Sequence, residues 1–449
     1  MVQFWVNGQK IETEETGSLL LFLRNHLHLT AVKCGCMQGS CGTCTVLLDG
    51  KPCRSCTRKV EKLDGAHILT PEGLSPREQD VYAYAFASAG AVQCGYCLPS
   101  MLMSVKALLD QVPAPTEEQT RAALDHNICR CTGYVSLVRA VRIAADLLRS
   151  GDTIPALPSP ETGNSPARID AREKVLGSLR FVADDVPADA LFGAVLTAGI
   201  PHARIRRIDT SAALTVPGVA AVLTAKDIPG CHTAGWLHGA WPVLVGEDEE
   251  VLFAGDVVAL AAADSKEAAQ EALKRVIVDY EPLPAVLSAQ DALAPGAPLL
   301  HPEGNIFAES HIRRGDMETA KANTCYEVHQ VYETPFAEHG FLETEAAVAI
   351  PEGGRIVIRS ADQGIFLTRL QVSKVLDLPQ EQILVEGYPV GGAFGGREDV
   401  LIQVQAALLA YHTGRPVFLQ YSREESMLLH AKNTPCALRF PAAVTARAT

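Results

Sequence analysis

Apolar and polar positions change rhythm several times along this chain. Residues 2–14 read as a hairpin: Gln3-Phe4-Trp5-Val6, an Asn7-Gly8 turn, and a return from Lys10 to Glu14. Leu19, Leu20, Phe22, Leu23 and Leu27 supply buried faces at helical spacing, which predicts a helix capped by Ser18 and running to about residue 28. Residues 44–48 and 52–56 flank Asp49-Gly50 as a second hairpin. Two hairpins and one crossing helix make a small α+β unit. From residue 75 the period becomes helical. Ser75-Pro76-Arg77-Glu78 is a capping box that opens a helix to about residue 89. A second helix covers 98–110 and stops at Pro113 and Pro115, and Thr116-Glu117-Glu118-Gln119 is a box opening a third. A fourth covers 134–149, with Tyr134, Leu137, Val138, Val141, Ala145 and Leu148 on one face and Gly151 at its end. These predict a four-helix bundle.

Residues 151–168 carry Pro155, Pro158, Pro160, Pro166 and Gly163 and read as a linker. Beyond it the text is mixed: strands at 194–197, 220–223, 257–262 and 276–279, an Ala-rich helix at 264–274, and further strands from about residue 332. The expected class is therefore α+β multidomain, divided as 1–73, 74–150, a linker at 151–168, 169–290 and 291–449. At 449 residues, 47% apolar and 20% charged, the composition is that of a soluble globular chain of several domains. No apolar run approaches the ~18 residues that suggest a membrane span. A net charge of −13 argues against nucleic acid as a partner.

Cysteine changes the picture. Ten of the 13 fall before residue 132. Cys36-x4-Cys41-x2-Cys44 with Cys56 has plant-type [2Fe–2S] spacing, and Gly35, Gly39 and Gly42 let that loop fold around a cluster. A zinc knuckle fits the four-residue gap poorly. With no signal peptide visible at residues 1–10, a disulfide framework is disfavoured and a reducing cytoplasm expected. Cys94-x2-Cys97 with Cys129-x-Cys131 supplies four more thiols, and by spacing alone iron and zinc stay open. Because all four lie at predicted helix ends, a bundle would gather them at one pole, which favours a second cluster. Cys34 and Cys53 break the spacing and read as packing residues, as do His26 and His28.

Val390-Gly391-Gly392-Ala393-Phe394-Gly395-Gly396-Arg397-Glu398-Asp399 follows an apolar strand. It has neither the Walker pattern nor G-x-G-x-x-G, and alone reads as a tight turn. With the first cysteine loop, Gln93-Cys94-Gly95-Tyr96-Cys97 and Cys129-Arg130-Cys131-Thr132-Gly133-Tyr134, it makes the chain resemble the molybdenum hydroxylases, the xanthine dehydrogenase and aldehyde oxidoreductase family. The runs 81–86, 314–316 and 334–339 are similar to its selenium-dependent xanthine dehydrogenase branch, in which the iron–sulfur domains join the molybdenum domain without an intervening FAD domain.

The resemblance implies a ferredoxin-like domain, a four-helix [2Fe–2S] domain, an a/b hammerhead-type domain and the first part of a molybdopterin-binding domain. It implies two [2Fe–2S] clusters and a molybdenum–molybdopterin cofactor, with the cytosine dinucleotide form among its variants. The implied reaction hydroxylates a purine such as hypoxanthine or xanthine with oxygen from water. Electrons then leave to a separate FAD-binding subunit or other acceptor in a homo- or hetero-oligomer. Aldehyde oxidation, or electron transfer without molybdenum chemistry, are the alternatives. Residue by residue, Gln363 matches a glutamine that hydrogen-bonds a molybdenum oxo ligand, and Phe394 and Gly395 match the loop beside the metal. Glu398 matches the acid that holds purines, and Gln93 and Cys131 match positions near the pterin. Ala393 and Arg397 depart from the commoner glycine and lysine, and Gly199-Ile200 from arginine and serine. The family's general-base glutamate and a substrate-binding arginine are expected beyond residue 449.

Overall fold

The computed structural model describes residues 1–157, 166–235, 239 and 241–445. Residues 158–165 of the expected linker lie outside the described residues. Its described parts are tied down: Arg77 donates to the Asp152 carbonyl at 2.7 Å, and Ile154 and Ala167 pack on the helical core.

The first unit is a five-stranded sheet in the order Gln9–Thr13, Val2–Val6, His67–Leu69, Thr45–Leu48, Lys51–Arg54. Both expected hairpins are present, with Val6 opposite Gln9 and Leu48 opposite Lys51. The crossing helix departs from expectation. Leu19–Leu21 is a single α turn, and Phe22–His26 widens into a π turn closed by Leu27 N donating to the Phe22 carbonyl at 3.2 Å. Ser18 makes no side-chain cap. The wide turn leaves Leu19, Leu20, Phe22 and Leu23 all buried and aims Arg24 inward.

The second unit holds the helices Pro76–Ser88, Leu98–Gln111, Glu117–Leu124 and Val135–Ser150. Both capping boxes form as their spacing predicts, Ser75 with Glu78 and Thr116 with Gln119. Val81, Tyr82, Phe86, Met101, Leu102 and Val141 fill the core between them.

The remainder is built on one seven-stranded sheet in the order Ile383–Gly387, Arg355–Ser360, Ala346–Glu352, Val417–Gln420, Leu191–Thr197, Val257–Ala263, Val219–Leu223. Val417–Gln420 pairs in parallel with Leu191–Thr197, so the sheet runs across the 290/291 division drawn from sequence. All seven residues of Val257–Ala263 are buried. The helix Ile402–Thr413 is buried from residue 402 to 410, and its two buried glutamines are paired, Gln403 donating to Ser360 Oγ at 3.0 Å and Gln405 accepting from the Tyr421 hydroxyl at 2.6 Å. A separate ribbon of Thr324–Thr334 against Cys436–Thr445 exposes Tyr326, Val331, Tyr332, Leu438 and Phe440. No helix among the described residues is long and apolar enough to cross a membrane.

A buried ion triad joins the first unit to the third. Asp184 accepts from Lys33 Nζ at 2.6 Å and Arg24 Nη2 at 2.7 Å, and the Lys33 and Asp184 side chains are each 1% exposed. Burial would raise the Asp184 carboxyl, but Lys33 and Arg24 together hold it below its ordinary value.

Candidate metal centres and cofactor cleft

In the first thiol set, Cys36, Cys41 and Cys44 lie on one loop, and the hairpin returns Cys56 beside them. Cys41 shares a hydrogen bond with Cys36, and Cys44 with Cys56. Around them the backbone N–H groups of Gln38 and Cys41 both point at Cys36 Sγ at 3.4 Å, and Thr43 Oγ1 donates to Cys41 Sγ at 3.2 Å. Donation from the Cys41 thiol and from these amides pulls Cys36 down to about 4, while donating to Cys36 and burial push Cys41 up.

The second set is assembled from helix ends. Cys97 caps Leu98–Gln111, and Cys129 and Cys131 sit in the turn before Val135–Ser150. Cys131 Sγ lies 3.6 Å from Cys94 Sγ, and Cys129 shares hydrogen bonds with both Cys131 and Cys97. Thr132 directs its N–H and hydroxyl at Cys129 Sγ, at 3.4 and 3.2 Å. All 13 cysteines are free of disulfides. The two thiol loops touch: Ile128 N donates to the Cys41 carbonyl at 2.8 Å and Asn127 Nδ2 to the Gly42 carbonyl at 3.0 Å. Gly42 permits this, since its φ is +73° and a Cβ there would stand 2.0 Å from the His126 carbonyl oxygen.

Next to the second set is the glycine loop. Phe394 has a φ of 56°, strained for an aromatic residue, and is 48% exposed. It stands between two clefts. One, of about 520 Å³, is lined by Gln93, Cys94, Cys131, Lys174, Gly392 and Phe394, among others. The other, of about 700 Å³, is lined by Arg130, Glu338, His339, Phe394, Gly395 and Asp399, among others. The structure thus brings Gln93, Cys131, Phe394 and Gly395 to one place. Gln93 Nε2 donates to the Cys131 carbonyl at 3.0 Å. Gln363 is exposed and lines neither cleft; its Oε1 accepts from Arg397 N at 3.1 Å. Glu398 is exposed and does not line either cleft, whereas its neighbour Asp399 does.

Models of known families match the chain in sequence: a 2Fe-2S iron-sulfur cluster binding domain over residues 4–75, a [2Fe-2S] binding domain over 70–142, the aldehyde oxidase and xanthine dehydrogenase a/b hammerhead domain over 176–284, and a molybdopterin cofactor-binding domain over 300–449. The aldehyde oxidoreductase of Megalodesulfovibrio gigas is 35% identical over 455 residues, covering 96% of this chain and 50% of that protein. The nicotinate dehydrogenase small FeS subunit of Eubacterium barkeri is 43% identical over 144 residues, 31% of this chain and 92% of the relative. The solved aldehyde oxidoreductase of Desulfovibrio gigas superposes with a TM-score of 0.92 at 34% identity, covering 99% of this chain and 52% of that one. The chain belongs to the molybdenum hydroxylase family. It spans about half the length of the aldehyde oxidoreductases it matches.

The donor sets fit what a molybdenum hydroxylase carries. Eight thiols in two groups of four, with N–H and hydroxyl donors aimed at sulfur, suit two [2Fe–2S] clusters. The clefts on either side of Phe394, one of them floored by Gln93 and Cys131, suit an elongated pterin.

Sequence reasoning passed over three features of the site. Arg130 reaches from between Cys129 and Cys131 to the carbonyls of His339 (2.9 Å) and Glu338 (3.2 Å). His430 is buried, stacks on His339 at 4.6 Å, and lies 3.3 Å from Glu345 and 3.6 Å from Glu338. With Glu338 and His339 it has metal-ligand spacing, but Lys432 Nζ already neutralises Glu338 at 2.7 Å, so the group reads as a charge network. The third is Glu343. It is fully buried, and burial raises its carboxyl to about 7 against the pull of Arg397. The signal was three acids, Glu338, Glu343 and Glu345, close around the apolar pair Phe341-Leu342.

Proposed function

We propose that this chain provides the two iron–sulfur centres and one wall of the molybdenum site of an oxidative hydroxylase acting on a purine-type substrate. The observation that carries the reading is the convergence of Gln93, Cys131 and Phe394 on one cleft directly beside the second thiol set. A bound molybdenum–molybdopterin group supplies the two-electron acceptor for converting C–H to C–OH with oxygen from water. Gln93 and the Gly391–Gly396 backbone would hold the pterin, with Cys131 adjacent. Gln363 would offer its amide on the metal side. Cys94, Cys97, Cys129 and Cys131 would bind the nearer cluster, and Cys36, Cys41, Cys44 and Cys56 the outer one, from which electrons pass to a separate FAD subunit or another acceptor. The Eubacterium relative is itself an FeS subunit, which supports distribution of such domains over several chains.

The purine reading rests on the resemblance at Glu398, whose exposed side chain at the end of the glycine loop lies outside the two clefts and can accept hydrogen bonds from ring N–H groups. The match to an aldehyde oxidoreductase over 96% of the chain favours an aldehyde as the second reading. In the complete protein, purified with molybdenum and iron assayed, dye reduction with hypoxanthine and with an aromatic aldehyde decides between them. Glu398→Val is expected to depress purine turnover by about 10-fold or more and aldehyde turnover little. Equal loss on both substrates excludes Glu398 as the purine contact, and iron without molybdenum excludes hydroxylation.

A further inference from the structure

Between the second thiol set and the glycine loop lies a buried column that neither the clusters nor the cleft accounts for. Tyr96, between Cys94 and Cys97, is 3% exposed and donates its hydroxyl to the Cys34 carbonyl at 2.8 Å. Its ring packs edge-on against Phe181 at 4.9 Å, in an apolar group that also holds Leu342, Cys41 and Cys94. The next residue, Glu343, faces Gly391 from the other side. Gly391 has no room for a side chain: a Cβ would stand 2.3 Å from Glu343 Cβ and 3.0 Å from the Tyr96 ring. Glu343 Oε2 accepts from Gly391 N at 2.7 Å, and Glu343 N donates back to the Gly391 carbonyl at 3.4 Å.

Arg397 closes the other end of the loop onto the same carboxylate. One of its terminal nitrogens donates to Glu343 O at 2.6 Å and approaches Oε2 at 3.2 Å. Its Nε donates to the Gly392 carbonyl at 2.9 Å, its other terminal nitrogen to the Ala361 carbonyl at 3.3 Å, and its plane lies 4.5 Å over Phe341. Both partners are nearly inaccessible, with side chains 2% and 1% exposed. One carboxylate therefore fastens both ends of the loop that presents Phe394. Its second oxygen, Oε1, is buried without a hydrogen-bond partner.

We propose that Glu343, with Arg397, is a positioning residue that fixes the glycine loop for the pterin and sets the electrostatic surroundings of the second cluster. This rests on the hydroxylase reading above. A buried carboxylate close to a cluster opposes the arrival of an electron, so its charge lowers that cluster's potential. The charged groups around it are Arg397, Lys33 and Asp184. Tyr96, which lies between Cys94 and Cys97 in sequence, stands across Gly391 from it.

Glu343→Gln keeps an acceptor for Gly391 N and removes only the charge. Glu343→Ala removes both. The test uses the complete protein with its clusters: molybdenum and pterin per chain, and redox titration of each cluster by paramagnetic resonance at about pH 9, where the carboxylate is ionised. Glu343→Gln is expected to retain pterin and to raise the potential of the second cluster alone. Glu343→Ala is expected to lose pterin by about 10-fold or more. Unchanged potentials in Glu343→Gln, or equal shifts in both clusters, overturn the electrostatic role. Full pterin in Glu343→Ala overturns the positioning role. A wild-type protein that never holds pterin overturns the hydroxylase reading and with it the positioning role, and the potential measurement still judges the electrostatic one. Where Glu343→Ala does not fold, Arg397→Gln, which removes the charge and most of the fork of contacts, takes its place and is expected to lose pterin.

Discussion

The two thiol sites serve one kind of centre and are built in opposite ways. The first is local: three thiols fall within nine residues, and one hairpin brings the fourth. Its loop leaves Met37, Gln38 and Ser40 exposed. The second joins two pairs separated by 32 positions, and it exists only because the helices beginning at Leu98 and Val135 pack with their ends together. It lies against the glycine loop. The difference teaches that the outer site depends on local backbone geometry, whereas the inner one depends on the fold of a whole domain and on its neighbour.

The largest expected effect is all-or-none. Cys44→Ser should abolish one [2Fe–2S] paramagnetic resonance signal and Cys129→Ser the other, each sparing its counterpart, because thiolate is the ligand form. The comparison sharpens in stability: Cys129→Ser should also loosen the helical unit, seen as earlier loss of helical circular dichroism, while Cys44→Ser should not. Loss of both signals from either change would show a shared site and end the two-centre reading.

Next in size is the triad that docks the first unit. Asp184→Ala strands two cations, one of them 1% exposed, in a dry contact. Removing one partner of a buried pair costs about 3–5 kcal/mol. Urea denaturation should show this loss, accompanied by faster proteolysis between the first unit and the sheet domain. A loss below about 1 kcal/mol would mean water already reaches the site.

Glu343 offers a pH test. Its carboxyl is raised from 4.5 to about 7, by burial first and against Arg397. A raised pKa contributes stability that is complete below 4.5 and is lost as pH rises through about 7. The wild type should therefore lose stability relative to Glu343→Gln between about pH 5 and about pH 8, measured as the difference in denaturation midpoint. A difference that does not change with pH, or that grows in the wild type's favour, contradicts this.

What could be read from the sequence follows the same divide between local and distant. Capping boxes at Ser75 and Thr116 and the Asn7-Gly8 and Asp49-Gly50 turns are short-range chemistry, and each forms as spacing predicts. Ser18 misled because the cap pattern is necessary but not sufficient: the chain widens into a π turn to bury Phe22 and Leu23 together. Arg397 was visible as a departure, yet its partner lies 54 positions away and two of its other contacts, Phe341 and Ala361, are also distant in sequence. Gln93, Cys131 and Phe394 were named through resemblance, and only the packed domains show that they share a cleft.

The smallest effects come from the two arginines that tether the thiol loops to residues 338–342. Arg423 is half-buried and donates to three carbonyls, those of Gly35 (3.2 Å), Phe341 (2.8 Å) and Leu342 (2.8 Å). Arg130 is exposed and reaches two. Charged donors to carbonyls contribute about 1.5–3 kcal/mol when shielded and less when water competes. Arg423→Ala should therefore lower stability by about 2 kcal/mol and Arg130→Ala by less than about 1 kcal/mol. The two changes should also part company spectroscopically, since Arg423 holds the loop before Cys36 and Arg130 sits between Cys129 and Cys131. Arg423→Ala is expected to alter the line shape of the first cluster alone, and Arg130→Ala that of the second. If either variant perturbs both clusters equally, the two loops move as one body through the Ile128–Cys41 contact, and the contrast between a local and a fold-dependent site no longer holds.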